Sequence, residues 1–469
     1  MHKKYTKALF IFRRDLRLDD NTGLLAALQE SSSVIPCFIF DLRQVTAQNS
    51  YKSNNALQFM VDSLHDLNQQ LESKKARLFI FYGTAKIIVQ KLLENKLIDA
   101  VYVNADCTPF SKQRDHDLRD ICIKHSVDFH SFEDLLLHEL KDNLNKQNKP
   151  YTVFTPYFNA IATKSVREPV KNTFTNYSIT PLPNEQSFNI VKNFLPHTII
   201  LHSPAGRTGC LKILSSIDNF KNYSHEHNYP AIATTYLSPH TKFGTCSIRE
   251  IYYAIKKNMG INDLIRQLYW RDFYTIIAYY YPHIFGNAFH NSLNALSWDN
   301  NQELFQRWCE GTTGIPIVDA GMRQLNKTGF MHNRARLITA SFLVKDLHID
   351  WRWGERYFAQ LLTDYDPAVN NGNWQWVAST GSARQPYFRV FNPWLQQKKY
   401  DPDCIYIKQW VPELANLSPR IIHTWYKQTK SQKNYPLPIV THDQESTKSI
   451  DLFKKLNLKK SKKAAKSTM

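Results

Sequence analysis

The sequence lacks most of the short signatures that announce a function. Its seven cysteines (37, 107, 122, 210, 246, 309 and 404) form no C-x-x-C pair. That argues against a zinc ribbon, an iron–sulfur cluster or a secreted disulfide framework, and a reducing intracellular compartment fits instead. No GxGxxG follows a strand and no GxxxxGK[ST] occurs, so nucleotide binding by a Rossmann fingerprint or a P-loop is not expected. GxSxG and HExxH are missing too. His225 and His227 have metal-like spacing, but no third ligand lies nearby in sequence, and no metal site is expected. Apolar runs are short. The N-terminal ALFIF is broken at once by RRDLRLDD, which reads as a first strand rather than a signal peptide. The aromatic stretch 268–285 carries Arg271 and Asp272, so no membrane span is expected.

What is present describes a folded protein of two or three domains: 469 residues, 43% hydrophobic and 21% charged. Aromatic residues make up 13%, enough for a large core and for stacking surfaces that suit flat ligands. Basic residues outnumber acidic ones by 59 to 41. The last sixteen residues hold seven lysines and no acid, so more than half of the surplus of +18 lies elsewhere. A basic body attracts polyanions, nucleic acid first among them, although a solubility surplus is the plain alternative.

Residues 1–135 alternate strand and helix. Strands are predicted at Ala8–Phe12, Val34–Phe40, Arg77–Tyr82 and Ala100–Asn104, with helices at Asn21–Glu30, 55–73, 84–95 and 111–125. Strict alternation predicts a parallel sheet with helices on both faces and a ligand crevice beyond the strands' carboxyl ends. Residues 136–204, polar and proline-rich, read as a connector. Helical periodicity then runs over 205–440 and predicts an all-α domain, while 441–469 reads as a basic, disordered tail.

Chemistry concentrates between 223 and 396. Thr234-Thr235-Tyr236-Leu237-Ser238-Pro239 packs hydroxyls ahead of a helix, which suits either a diphosphate or a simple N-cap. The segment Asp364-Tyr365-Asp366-Pro367 through Asn370-Asn371-Gly372-Asn373-Trp374-Gln375-Trp376 crowds polar and indole groups beyond what packing asks. Asn both donates and accepts, and so can face a ring nitrogen that gains or loses a proton. Arg336, in Met-His-Asn-Arg-Ala-Arg, is placed to pair with Asp364.

These segments carry a resemblance. FRRDLRLDDN (12–21), TTYLSPHTKFG (234–244), QLYWRDFY (267–274), the run 314–358, TDYDPAVNNGNWQW (363–376) and PYFRVFNPW (386–394) resemble the photolyase/cryptochrome family over residues 5–440. The similarity runs especially to bacterial enzymes that repair cyclobutane pyrimidine dimers. It implies an α/β, Rossmann-like antenna domain and an all-α catalytic domain holding FAD, active as the reduced anion. Tyr223, Thr234, Thr235, Tyr236, Leu237 and Ser238 match phosphate-side positions. Arg336, Asp364, Tyr365 and Asp366 match positions around ring and ribose, and Asn370 the residue facing flavin N5. Trp298, Trp351 and Trp374 match an electron relay. Trp270 and Trp376 match the aromatic pair that packs on a flipped-out dimer, with Gln267 and Asn333 on its polar edges. His227, Arg271, Tyr274, Arg334, Leu337, Arg389 and Gln396 fall on the DNA side. The implied reaction is excitation of reduced FAD, electron transfer to the dimer, ring splitting and return of the electron.

Several positions depart from the family's commonest form: Gln267 for Glu, Leu337 for Met, Phe330 for Trp and His227 for Arg. Asn333 and Leu337 stand where (6-4) photolyases have paired histidines, which speaks against that lesion. Thr108 replaces a Glu of folate-binding members, and the antenna is left open between methenyltetrahydrofolate, a deazaflavin and none. The expected partner is single- or double-stranded DNA with pyrimidine dimers, bound by a cytoplasmic, bacterial monomer with no membrane contact. Two rival readings are a cryptochrome-like photoreceptor and a DNA-binding module without cofactor.

Overall fold

The computed structural model describes residues 3–260, 262–382, 386–431 and 434–466, with side chains as far as Leu456. Packing divides the chain into two units that alternate along the sequence. Residues 1–221, 235–282 and 363–368 form the first, and 222–234, 283–362 and 369–469 the second.

The first unit is built on five parallel strands: β1 (Tyr5–Phe12), β2 (Ser31–Phe40), β3 (Phe79–Tyr82), β4 (Ala100–Asn104) and β5 (Asp128–Phe132), in the order β3-β2-β1-β4-β5. Successive side chains on β1 enter opposite apolar layers. Ala8, Phe10 and Phe12 join one, Leu9 and Ile11 the other. Burial on both faces is why these strands read as unbroken apolar runs. β5 escaped the sequence reading because DFHSF is polar and none of its residues is fully buried. The direction of strand addition reverses between β1 and β4, so the crevice of an open parallel sheet falls there.

The units do not divide at residue 204 as the sequence suggested. Helices Gly206–Ser215, Ile248–Met259 and Asp263–Tyr280 belong with the sheet. The cause is a buried ionic lattice. Arg249 pairs with Asp20 (2.7 Å) and Asp134 (2.8 Å), and Arg17 pairs with Asp134 as well. Gly244 (φ 61°) adds a close approach, because a Cβ there would lie 2.8 Å from Asp15 Cα and closer still to the Arg14 carbonyl. Much of FRRDLRLDDN is therefore internal mortar. Residues 136–204 likewise wrap the sheet rather than span a gap: Tyr177 bridges Val34, Gln186 bridges Ile80, and Phe154–Ile161 is a helix.

The named elements of the second unit are helices, with Gln302–Glu310, Pro316–Thr328, Asn333–Ser341, Trp351–Leu361, most of Pro367–Val377 and Pro393–Tyr400 among them. A π-helical turn, Phe342–Asp346, follows Asn333–Ser341. The stretch expected to be a disordered tail is helical over most of its described residues. His442–Lys466 is a helix whose first half docks: His442 bonds Asp346 (2.5 Å), His348 bonds Glu445 (2.7 Å), and Phe453 stacks on Tyr387 (5.6 Å, 11°) beneath the Lys345 ammonium. Counting lysines hid the apolar anchor that Phe453 provides. No helix among the described residues is long and apolar enough to cross a membrane.

Candidate functional site

In the first unit the hydroxyl-rich turn sits where the sequence placed it. Thr235 is buried and its Oγ1 accepts from Leu237 N (3.4 Å), Tyr236 takes a left-handed conformation (φ 52°), and Ser238 opens the short helix Ser238–Phe243. Leu237 is buried, whereas Ser238 is exposed. Asp364 and Asp366 are buried, with Tyr365 stacked on Tyr51 (6.3 Å, 18°). Arg14 ties this segment to the sheet, pairing with Asp366 and with Asp106 (3.1 Å). Burial would raise the Asp106 carboxyl, but Arg14 and Lys242 beside it hold it well below the usual carboxylate range. Lys242 is lowered to about 8 by burial and the adjacent Arg14.

The crevice at the carboxyl ends of β1 and β4 is lined by Arg13, Arg14, Asn104 and Asp106 among others. Arg13 Nε and Nη2 and Arg114 Nη2 are buried there or close by without hydrogen-bond partners.

Helix Asp263–Tyr280 carries Gln267, Trp270, Arg271 and Tyr274. Trp270 is half-buried and stacks face to face on Phe154 (3.5 Å between centroids, 7°). Gln267 is half-buried, its Nε2 bonding its own helix at Asp263 O (3.3 Å). Two neighbours also bond or pack within the unit. Arg271 is spent inside the unit, donating to Leu135 O (2.8 Å) and Asp272 (2.8 Å), and Tyr274 is buried against Trp270. Burial pushes the Asp272 carboxyl up to about 6 despite that arginine.

In the second unit Asn370 donates its Nδ2 to Glu355 O (3.1 Å). Trp351 and Trp374 are buried and Trp298 half-buried. The Trp374 ring meets Phe358 (5.0 Å, 76°) and Trp308 (6.3 Å, 71°), and Gly354 lets the helix Trp351–Leu361 close onto its edge. Trp376 is half-buried and Asn333 exposed. Arg336 donates Nε to Met331 O (2.7 Å), with its guanidinium over Phe330. Arg334 bonds Asn228 and lies over the Tyr400 ring (4.3 Å). His332 caps the helix Asn333–Ser341, and burial beside Arg336 and Arg334 lowers it to about 4, so it is neutral at pH 7. Tyr223 stacks on His227 (5.0 Å, 20°), and Thr234 is half-buried. His227 itself engages Tyr223 O (2.7 Å) and Asn228 (3.1 Å). Leu337 and Gln396 are half-buried, and Arg389 is exposed.

Two residues that looked functional are structural. Gln375 is buried and bonds Ile284 O, Asn287 O and Phe289 N, and Asn371 bonds Ile284 O. Part of the polarity between the two tryptophans is thus loop fixation. Conversely, Phe154 and Trp308 were missed. The first is one of the apolar positions 153, 154, 157, 158 and 161, a helical stripe inside a stretch dismissed as connector.

Residues 8–174 match the family model for DNA photolyase, and residues 264–455 the model for the FAD binding domain of DNA photolyase. A deoxyribodipyrimidine photo-lyase of Alkalihalophilus pseudofirmus is 36% identical, over 94% of this chain and 97% of its own length. The chain belongs to the DNA photolyase family. An archaeal photolyase from Sulfolobus tokodaii, solved with two FAD molecules, is 43% identical with a TM-score of 0.86, covering 96% of this chain and all of its own. A Synechocystis cryptochrome is 28% identical with a TM-score of 0.85, again over 96% of this chain and all of its own. The stretch that matches the photolyase FAD-binding domain includes Trp298, Trp351, Asn370 and Trp374, all of the second unit.

Proposed function

We propose that this member of the DNA photolyase family repairs cyclobutane pyrimidine dimers in DNA with light. The observation that carries the reading is the near-full-length match to a deoxyribodipyrimidine photo-lyase, over a chain whose second half matches the photolyase FAD-binding domain. Reduced FAD, when bound, supplies the photoexcited electron that opens the cyclobutane ring.

The donor set suits that group. The hydroxyls of Tyr223, Thr234, Thr235 and Ser238 are of the type that meets diphosphate oxygens, and the carboxylates of Asp364 and Asp366 are of the type that holds ribose hydroxyls. Asn370 spends Nδ2 on Glu355, which leaves Oδ1 as an acceptor for a protonated ring nitrogen. Trp374, Trp351 and Trp298 run from buried to half-buried, as an electron path from interior to surface would. They serve reduction of the cofactor, whereas splitting needs only the reduced form.

On the DNA side, Trp270 and Trp376 offer indole faces. Stacking on such a face returns about 1–3 kcal/mol per base, against the few kcal/mol spent in unstacking. Gln267 and Asn333 hydrogen-bond the pyrimidine edges, and Arg334, Arg389 and Gln396 meet phosphates. For the antenna, open between a folate, a deazaflavin and none, the β1–β4 crevice is the candidate place. We place the enzyme in the bacterial cytoplasm as a monomer acting on single- and double-stranded DNA. All seven cysteines are free and buried, which accords with a reducing compartment.

Illumination of purified protein with a dimer-containing oligonucleotide tests the reading. Dimers should vanish in blue light and persist in the dark. A flavin-loaded sample that leaves them intact under light would favour a signalling photoreceptor, the second reading, which the likeness to the Synechocystis cryptochrome supports.

A further inference from the structure

We infer that Phe154 is a positioning residue of the lesion site, fixing the plane of the Trp270 indole from behind. The inference rests on the proposed role of Trp270 as a base-stacking surface.

Three rings determine how that indole lies. Phe273 meets it edge-on (5.9 Å, 90°) and Tyr274 obliquely (5.6 Å, 28°), both from the same helix. Among the described residues Phe154 alone comes from elsewhere, 116 positions earlier in the sequence, and it lies flat against one face at 3.5 Å and 7°. Near-complete overlap is not what ring quadrupoles prefer, since offset or edge-to-face pairs are favoured. The surroundings therefore impose it. Phe154 is 2% exposed, wedged edge-on against Phe273 (5.8 Å, 84°), with Arg266 placing its guanidinium over Phe154 (5.4 Å) and Phe158 (5.0 Å). Its helix is pinned by the buried Tyr157, whose hydroxyl donates to Asn143 (3.0 Å).

A backed indole has one face closed and its plane set before any ligand arrives. Yet Trp270 remains half-buried, so part of its surface is still open. A base stacking there meets a surface that needs no ordering, and avoiding that entropy loss is what preorganisation contributes to affinity. Losing the flat backing while keeping apolar bulk frees the ring without emptying the core. That is the difference between Phe154→Leu and Phe154→Ala.

The test is a double-mutant cycle read as dark binding of a dimer-containing oligonucleotide, with the undamaged oligonucleotide as control. Phe154→Leu should weaken dimer binding by about threefold to tenfold, in line with an aromatic pair's contribution, and leave undamaged DNA within about twofold. In a Trp270→Ala background the same change should cost nothing further. Equal losses in both backgrounds, or equal losses for damaged and undamaged DNA, would mean that Phe154 only stabilises the fold and would overturn the inference. If Trp270→Ala weakens dimer binding and Phe154→Leu does not, the inference fails while the lesion reading stands. If Trp270→Ala itself changes nothing, the stacking role of Trp270 falls and the inference with it.

Discussion

Replacing Gly354 by alanine sets one methyl group against Trp374, a member of the proposed relay. A Cβ at 354 would lie 2.5 Å from Leu343 Cδ2 and 2.7 Å from Trp374 Cζ3, with Trp374 Cη2 nearer still. Carbon atoms rest at about 3.5–4.0 Å, so the indole edge must retreat by about 1 Å. It has little room to do so. Trp374 is 3% exposed and hemmed by Phe358 and Trp308. Overpacking of this kind costs about 1–3 kcal/mol. Alanine regains about 0.5–1 kcal/mol over glycine inside a helix. The clash wins, and Gly354→Ala should lose about 1–2 kcal/mol of stability. It should also slow light-driven reduction of the bound flavin, because the displaced indole belongs to the proposed electron path. Denaturant titration reads the first effect and the rate of flavin bleaching under blue light with a thiol donor reads the second. A variant that is as stable as the parent and reduces at the parental rate would refute the close approach of helix Trp351–Leu361 to Trp374.

Other consequences follow from the same geometry. His240 is fully buried and lowered by burial to about 4, below the unfolded value of about 6.5. The unfolded chain then takes up a proton that the folded one refuses, so stability falls as pH drops from 6.5 towards 4. His240→Gln should flatten that loss by up to about 3 kcal/mol, seen as a smaller difference in unfolding midpoint between pH 7 and pH 5. Arg14→Gln removes the guanidinium that pairs with both Asp106 and Asp366, leaving Lys242 as the neighbouring cation. A loss of about 3–5 kcal/mol and poor flavin retention on gel filtration are expected, and a stable, fully yellow variant would contradict them. Truncation after Leu456 keeps the Phe453 anchor and removes five lysines. The slope of log affinity for DNA against log salt should become shallower by up to about 0.9 for each phosphate the tail had neutralised, and an unchanged slope would exclude the tail from binding.

The α/β half was legible because burial on both faces of a parallel sheet writes apolar runs directly into sequence; Ala8–Phe12, Val34–Phe40 and Ala100–Asn104 fall within their observed strands. The helical half was legible by periodicity. What was not legible depends on partners distant in sequence. Nothing local announces that Arg249 will reach Asp20 and Asp134 and draw its helix to the sheet. The same holds for Arg271 and Gln375, whose bonds go to Leu135 and to the 284–289 loop. Phe154 was hidden by composition, since one helical stripe sits in a polar, proline-rich stretch. The tail misled for the opposite reason: one buried aromatic, Phe453, anchors a helix that its lysines made look solvated.

Repair of this kind turns on an electron that is lent to the dimer and returned. Counting dimers opened per flavin tests this most directly, using photoreduced protein under blue light with no further reductant and excess dimer-containing oligonucleotide. Many dimers per flavin, with the spectrum of the reduced flavin unchanged at the end, is the predicted result. One dimer or fewer per flavin, with the flavin left oxidised, would contradict it.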